Sequence, residues 1–196
     1  GDRFAGQKAW PRAQRYYKML WDLLHDEGSA VLYINALLGS VPANLTETDA
    51  VLSSPSLTVD RCSTLLLARS LLRKRQARED AARADAVLAF DRSTGSPAQL
   101  MQWAERMRRP FTEPKEALAV IAAVKAPAAL SDWVTLERAT VMLEDAAQRS
   151  EGLSILEGLA ANAVDREVRL EACRTLPSAY DRDNKWAEAV AASKKG

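Results

Sequence analysis

The amino-acid sequence predicts an all-α protein built of antiparallel helix pairs that follow one another along the chain. The composition is the first indication: 47% of the 196 residues are hydrophobic, only 6% are aromatic, and glycine and proline number eight each, which is typical of helix. Apolar residues recur with helical spacing along most of the chain, and no stretch alternates with a period of two. Short breaker segments divide the chain into stretches of about 30–36 residues, the length of two helices and a turn.

The individual helices are predicted from apolar stripes. In the stretch 65–72, apolar residues crowd one side while Arg69 and Arg73 occupy other angles. Later stripes repeat with spacings of three, four or seven, which place their members on one helical face. They are Ala81, Ala84 and Leu88; Ala117, Val120 and Val124; Leu136, Ala139 and Leu143; and Leu156, Leu159 and Ala163.

The predicted helices are separated by segments rich in Gly, Ser, Pro, Asn and Asp, at 27–29, 53–55, 93–97, 126–127 and 162–165. Ser96 is expected to cap a helix whose first residue is Pro97, and Ser131 with Asp132 is expected to cap the helix that carries Trp133. Pro42 and Pro177 fall where regular helix or a regular turn is expected. A proline inside a helix costs roughly 3 kcal/mol, so a kink or an interruption is expected at Pro177.

The two ends of the chain share one pattern. Phe4, Trp10 and Ala13 have the same spacing as Tyr180, Trp186 and Ala189. The first aromatic ring ends one helix, the second opens the next, and the small residue allows the two helices to cross closely. Small residues recur between the ends at intervals of 31 to 37 residues, at Ala13, Ala50, Ala81, Ala117, Gly152 and Ala189.

This pattern resembles the tetratricopeptide repeat, a helix-turn-helix unit of 34 residues. The N-terminal stretch matches best, at Gly1, Phe4, Trp10, Ala13 and Tyr17. The resemblance implies a right-handed superhelical solenoid of stacked antiparallel helix pairs. It implies one domain over residues 1–196 with about five to six units, whose first helices line a concave, peptide-binding groove. Because the chain opens partway through a first helix, we expect it to be an excerpt of a longer array.

Charge and residue counts exclude several kinds of protein and site. With 27 Lys and Arg against 26 Asp and Glu, the net charge of +1 excludes a strongly basic nucleic-acid binder. His25 is the single histidine, so a zinc site with several histidines is excluded. Cys62 and Cys173 lack metal or redox spacing, and no apolar run has the length of a membrane span. We predict no catalytic residue, no metal and no cofactor.

The polar residues of the predicted groove are the candidate binding residues. A basic band able to hold carboxylates is predicted from Arg69, Arg73, Lys74, Gln102, Arg106 and Arg109. The alternative is that these side chains are solvated and pair locally with Glu79, Asp80 or Glu105. A patch of opposite charge follows at Asp132, Glu137, Glu144 and Asp145, either for a partner of mixed charge or to pair with the neighbouring unit. Trp103 and Trp133 are candidates for bordering the groove.

These features predict a non-catalytic scaffold that binds a protein or peptide partner, with an acidic partner as one expectation. The use of Ala and Arg predicts a bacterial source, with a role in an envelope or polysaccharide-export assembly and the periplasm preferred over the cytoplasm. Two alternatives stay open. One is an RNA-binding pentatricopeptide-like array, and the other is a glycan-cleaving superhelix, although no glutamate has a catalytic motif around it. The oligomeric state is left open.

Overall fold

The computed structural model describes residues 10–93, 95–182 and 190. These residues form ten α-helices and two short 3₁₀ helices, and no strand occurs among them. The prediction of an all-α protein is therefore confirmed. The chain divides into two compact units, Gly1–Ser93 and Thr94–Gly196.

The first unit contains five α-helices, and each of them packs on the next one along the chain. A 3₁₀ helix at Val59–Arg61 precedes the fourth α-helix. Their bounds are α1 (Trp10–Leu24), α2 (Glu27–Gly39), α3 (Leu45–Leu52), α4 (Ser63–Arg75) and α5 (Glu79–Ser93). Helix α2 is the central element, since it contacts α1, α3 and α4 and buries Ala30, Ile34 and Ala36 completely.

The second unit contains the other five α-helices. Their bounds are α6 (Pro97–Met107), α7 (Pro114–Ala123), α8 (Ser131–Met142), α9 (Arg149–Asn162) and α10 (Arg166–Arg182). Helix α8 is central here, because it contacts α6, α7, α9 and α10. Helix α8 therefore contacts its two neighbours in sequence, α7 and α9, and also the next helices beyond them, α6 and α10.

Four of the five predicted breaker segments are confirmed, because helices end or begin at 53–55, 93–97, 126–127 and 162–165. The break predicted at 27–29 lies two residues earlier, at His25 and Asp26, and α2 begins at Glu27. Residues 27–29 form the first turn of α2, whose N-cap is Asp26, and the Asp26 carboxylate accepts a hydrogen bond from the Ser29 N–H at 2.7 Å. The cap at Ser96 is confirmed, with the Gln99 N–H donating to its hydroxyl at 3.4 Å.

The predicted cap at Ser131 and Asp132 is wrong. The N-cap of α8 is Leu130, which supplies no side-chain hydrogen bond, and a 3₁₀ helix at Ala128–Leu130 leads directly into α8. The Asp132 carboxylate instead accepts a hydrogen bond from the Val164 N–H at 3.1 Å. It thereby joins the start of α8 to the turn between α9 and α10.

Of the two prolines expected to disturb regular structure, one lies in a turn and the other lies within a continuous helix. Pro42 lies in the turn between α2 and α3, after a cis peptide bond. Pro177 does not interrupt α10, which continues to Arg182. Leu176, Ala179 and Tyr180 are buried on either side of it, and this packing holds the helix in place although the proline has no N–H to donate.

Small residues at helix crossings account for the close packing of α8 on α9. A Cβ atom added at Gly152 lies 3.0 Å from both the carbonyl oxygen of Ala139 and the Cβ of Met142. The prediction that a small residue permits a close crossing is confirmed at this position. Gly1, Phe4, Trp186 and Ala189 lie outside the described residues, so the pattern at the two ends of the chain stays a prediction.

Candidate functional site

Helices α6, α8 and α10 enclose a cleft of about 170 Å³ in the second unit. Two lining residues come from α6, four from α8 and two from α10. They are Leu100, Met101, Trp133, Leu136, Glu137, Thr140, Glu171 and Thr175. On α8 and α10 they follow helical spacing, so each helix turns one narrow face to the cleft.

The floor of the cleft is apolar. Leu100, Trp133 and Leu136 are all buried, and Leu100 is only 1% exposed. Met101 is half exposed at the α6 edge and supplies a flexible apolar side chain there. An aliphatic or aromatic group that enters the cleft therefore exchanges water for apolar contact, which favours binding by about 25 cal/mol for each Å² of apolar surface removed from water.

Trp133 is held in a fixed orientation by a hydrogen bond. Its indole N–H donates to the carboxylate of Asp165 at 2.8 Å, across the turn that precedes α10. This bond, together with a hydrogen bond from the Glu167 N–H, lowers the pKa of Asp165. Because the only donor of the indole is used in this way, Trp133 offers the cleft its ring and no further hydrogen bond.

Glu137 is the ionisable side chain that extends into this apolar surrounding. Burial raises the pKa of Glu137, the charge of Arg108 opposes that effect, and the charge of Glu144 adds to it. No residue that the structure describes forms a hydrogen bond or an ion pair with the Glu137 carboxylate. Among the described residues, no side-chain oxygen is both fully buried and without a hydrogen-bond partner, so the carboxylate oxygens of Glu137 keep contact with solvent. A ligand that supplies positive charge or hydrogen-bond donors can therefore reach them, and such a ligand favours the ionised form.

The remaining polar groups of the cleft also act as acceptors. The hydroxyl of Thr140 donates to the carbonyl of Leu136 at 3.0 Å, and that of Thr175 donates to the carbonyl of Glu171 at 2.9 Å. Each threonine therefore has its proton engaged within its own helix and only lone pairs left for a ligand. Glu171 lies at the rim, where Arg174 pairs with it at 3.3 Å.

The residues of the predicted basic band belong to different units, three to each. In the first unit, Arg69 and Arg73 both form ion pairs with Asp85 at 2.7 Å, and Lys74 pairs with Glu79 at 3.2 Å. Arg69 contacts Asp60 as well, at 2.7 Å. These three cations are therefore engaged with carboxylates. Only the partner of Lys74 is one that the local-pairing alternative named, because the two arginines pair with Asp85 and Asp60 instead.

The other three members of the band lie in the second unit. Gln102 and Arg106 are exposed on α6, and Arg109 is exposed two residues beyond the end of that helix. None of the three lines the cleft. Whether these residues bind a partner stays a prediction.

The predicted acidic patch is divided among several local roles. Glu144 forms an ion pair with Arg108, so helices α6 and α8 are joined by opposite charges at their C-terminal ends. The carboxylate of Asp145 accepts a hydrogen bond from the Ala147 N–H at 3.0 Å. Only Glu137 of this patch lies in the cleft.

Of the two tryptophans that were candidates for bordering a groove, Trp133 lines the cleft and Trp103 is buried in the core at 2% exposure. Thr140, Glu171 and Thr175 carry no sequence pattern of their own that marks them as site residues. The spacing of Trp133, Glu137 and Thr140 on one face of α8 is a signal that would have grouped these residues. The contribution of α6 and α10 depends on tertiary packing, which no local pattern reveals.

Within the described parts of the chain, no group of three or more His, Cys, Asp or Glu residues is arranged to hold a metal ion. No helix there combines the length and the apolar character needed to cross a membrane. No protein-family model, curated protein or solved structure matches this chain. The resemblance to the tetratricopeptide repeat therefore stays a prediction.

Proposed function

We propose that this chain is a non-catalytic scaffold of the α-solenoid kind, and that it binds a segment of a partner protein in the cleft between α6, α8 and α10. The observation that carries the proposal is the lining of this cleft, in which an apolar floor lies beside two threonine hydroxyl oxygens and the Glu137 carboxylate, to which no described residue bonds. Binding surfaces for peptides commonly combine apolar contact with a few polar groups that fix orientation.

The contacts between every second helix support the solenoid arrangement of the second unit. In stacked helix pairs, the first helix of each pair packs on the first helix of the next pair, and these helices line one surface. The contacts of α8 with α6 and α10 have this character, and the cleft lies along the row they form. A right-handed superhelix over the whole chain, and its place in a bacterial envelope or polysaccharide-export assembly, stay predictions.

The volume of the cleft sets the size of what enters it. A volume of about 170 Å³ is below the range of roughly 300–1,000 Å³ that is usual for drug-sized ligands and cofactors. One side chain of a bound segment fits this space better than a cofactor does, and the rest of the segment would lie over the helices at the rim.

A panel of peptides tests the proposal. A random peptide library displayed on phage is selected against the 196-residue chain, and the enriched peptides are titrated by fluorescence anisotropy. We expect binding in the range of about 1–100 µM, which Thr175→Trp weakens at least tenfold because the new ring fills the cleft from α10. Met101→Trp, which fills it from α6, is expected to act in the same way.

Ser154→Trp is the matched control. Ser154 is exposed on α9 of the same unit and does not line the cleft, so the same bulk is added without filling it. Circular dichroism of each variant checks that the helices are retained. The absence of any enriched peptide, or equal binding by the wild type and both cleft variants, would contradict the proposal.

One observation favours a second candidate, the glycan-cleaving domain. A general acid needs a raised pKa, and burial raises the pKa of Glu137 in a cleft that also contains Glu171. Release of reducing ends from peptidoglycan or polysaccharide by the wild type, and its loss in Glu137→Gln, would establish this function.

The RNA-binding alternative is less well supported by the site. A cleft with two carboxylates and no cationic side chain in its lining repels a phosphate backbone. Salt-sensitive retention of single-stranded RNA in filter binding, at submicromolar protein, would overturn the preference for a protein partner.

A further inference from the structure

We propose that the occupant of the cleft is a lysine or arginine side chain of the partner segment, with its charged head against Glu137 and its aliphatic stem on the floor. This inference rests on the proposed function and specifies the chemistry that the cleft selects. It reverses the expectation of an acidic partner, which depended on the basic band.

The donor and acceptor inventory of the cleft is the first argument. Its lining includes no lysine, arginine, histidine, asparagine or glutamine. The indole N–H of Trp133 and the hydroxyl protons of Thr140 and Thr175 are all donated elsewhere. The cleft therefore presents a ligand with the lone pairs of carboxylate and hydroxyl oxygens, which accept hydrogen bonds. A group that only donates hydrogen bonds is complementary to them. Lysine and arginine side chains are such groups.

The shape of the cleft is the second argument. Lysine and arginine have an apolar stem and a charged head, and they bury the stem while the head finds a polar partner. The cleft has the same division, with Leu100, Leu136 and Trp133 on one side and Glu137 beside them.

Charge is the third argument. Arg108, whose charge acts on Glu137, is already paired with Glu144, and Arg174 pairs with the other carboxylate of the cleft, Glu171. Ionised Glu137 therefore lacks a counter-charge in direct contact. A cation in the cleft supplies that charge, and the ring of Trp133 adds an aromatic surface that favours cations.

Binding should depend on pH through Glu137. Burial holds the pKa of this carboxyl above its ordinary value, while the nearby charged groups are Arg108, Glu144 and Glu171. A bound cation favours the ionised form, so binding is expected to strengthen as the pH rises and Glu137 loses its proton. This dependence on pH should be lost in Glu137→Gln.

The test compares two small probes that differ in charge and little else. Nα-acetyl-arginine methylamide and Nα-acetyl-citrulline methylamide are titrated into the ¹⁵N-labelled 196-residue chain, and the indole N–H signal of Trp133 is followed by NMR. We expect the arginine probe to shift this signal saturably at millimolar concentrations, and the citrulline probe to bind at least tenfold more weakly.

Two variants and a control complete the experiment. Glu137→Gln should weaken the arginine probe at least tenfold and abolish its advantage over citrulline. Glu171→Gln should have a smaller effect, because this rim carboxylate is half exposed and paired with Arg174. Glu167→Gln, an exposed carboxylate on α10 outside the cleft lining, should leave binding unchanged.

Equal binding of the two probes, no shift with either probe, or unchanged arginine binding in Glu137→Gln would overturn the inference. The peptide selection separates this outcome from failure of the proposed function. Enriched peptides that need the cleft but carry no basic residue would leave the scaffold in place and reject the cation.

Discussion

Two carboxylates, one in each unit, differ in whether a side chain of opposite charge is bound to them. Asp85 on α5 has a side chain only 4% exposed and is held by Arg69 and Arg73 of α4. Glu137 on α8 is only partly buried, and no described residue bonds to its carboxylate. The first is a part of the helix–helix interface, while the second is left available in a cleft.

The difference has a physical basis. The cost of withdrawing a charge from water is recovered only when partners of opposite charge and good geometry replace the water. Arg69 meets both oxygens of Asp85, at 3.0 Å through Nε and at 2.7 Å through Nη2, which is the strong bidentate arrangement. Glu137 has no such partner among the described residues. Its carboxylate oxygens keep contact with water instead, and a ligand with hydrogen-bond donors would replace that water.

The largest effect is expected from removing the paired carboxylate. Asp85→Ala leaves two guanidinium groups beside the α4–α5 interface without their shared partner. We expect the free energy of unfolding to fall by about 3 kcal/mol, the lower end of the range for breaking a buried pair, because both arginines keep some contact with water. Urea unfolding followed by circular dichroism measures it.

Asp80→Ala is the control for this change. Asp80 lies on the same helix with its side chain fully exposed, and its contact with Arg83 spans 3.9 Å. Such a pair is worth little, so no measurable change in the free energy of unfolding is expected. A similarly small effect for Asp85→Ala would show that the buried pair adds nothing to stability, and the comparison with Glu137 would lose its basis.

The same contrast explains how far the sequence predicts the structure. The helices of the second half follow from their stripes, and Leu136, Ala139, Leu156 and Leu159 are all buried as expected. On α5, however, the predicted stripe of Ala81, Ala84 and Leu88 is wrong. The face that packs on α4 instead carries Ala82, Asp85, Ala86 and Phe90.

A stripe built from apolar residues alone cannot include Asp85, because its burial depends on two arginines of another helix. Glu137 was identified as charged but not as part of a cleft, for a related reason. Its neighbours Leu100 and Thr175 lie far from it in sequence, on α6 and α10. Local periodicity predicts which residues form helices, whereas tertiary contacts decide which charged side chains are paired.

The next effect concerns the packing that positions α8, the helix that carries Glu137. In Gly152→Ala the added methyl group meets the Ala139 carbonyl and Met142 at 3.0 Å, so α8 and α9 must separate slightly. We expect a loss of about 1–3 kcal/mol, measured by urea unfolding. Gly158→Ala on the same helix meets no atom within 4 Å and should instead stabilise by about 0.5–1 kcal/mol.

Opposite effects at these two glycines would show that close packing, and not helix propensity, governs position 152. Stabilisation by both substitutions would mean that α8 and α9 do not cross closely there. The placement of Glu137 relative to α6 and α10 would then need revision.

A smaller effect, opposite in sign to that of Asp85, is expected at Glu137. Because burial raises its pKa in the folded state, the folded protein binds this proton more readily than the unfolded chain does. The folded protein is therefore more stable when Glu137 is protonated. This stability is fully present at pH values below the ordinary pKa of a glutamate, and it is lost as the pH rises through the raised pKa. Glu137→Gln removes the titration and should be more stable than the wild type at pH 7.5.

The difference between the two proteins should shrink toward pH 4, where the carboxyl is protonated in both the folded and the unfolded state. Urea unfolding of both proteins at several pH values measures it. If Glu137→Gln were instead less stable than the wild type at pH 7.5, the carboxylate would have a stabilising partner, and the contrast with Asp85 would disappear.

The smallest effect is expected from an exposed ion pair on α1, which is neither buried nor part of the cleft. Lys18 and Asp22 lie one turn apart on α1, pair at 2.8 Å, and keep about half of their side-chain surface exposed. Water already solvates both charges, so the attraction between them adds little to stability. Lys18→Met should lower the free energy of unfolding slightly in low salt and not measurably at 1 M NaCl, where charges are screened within about 3 Å. Asp85→Ala should retain most of its effect at the same salt concentration, because its partners are withdrawn from solvent. If both effects vanished at high salt, the Asp85 interaction would be screened as strongly as an exposed ion pair. Burial would then not explain the difference in stability between it and the pair on α1.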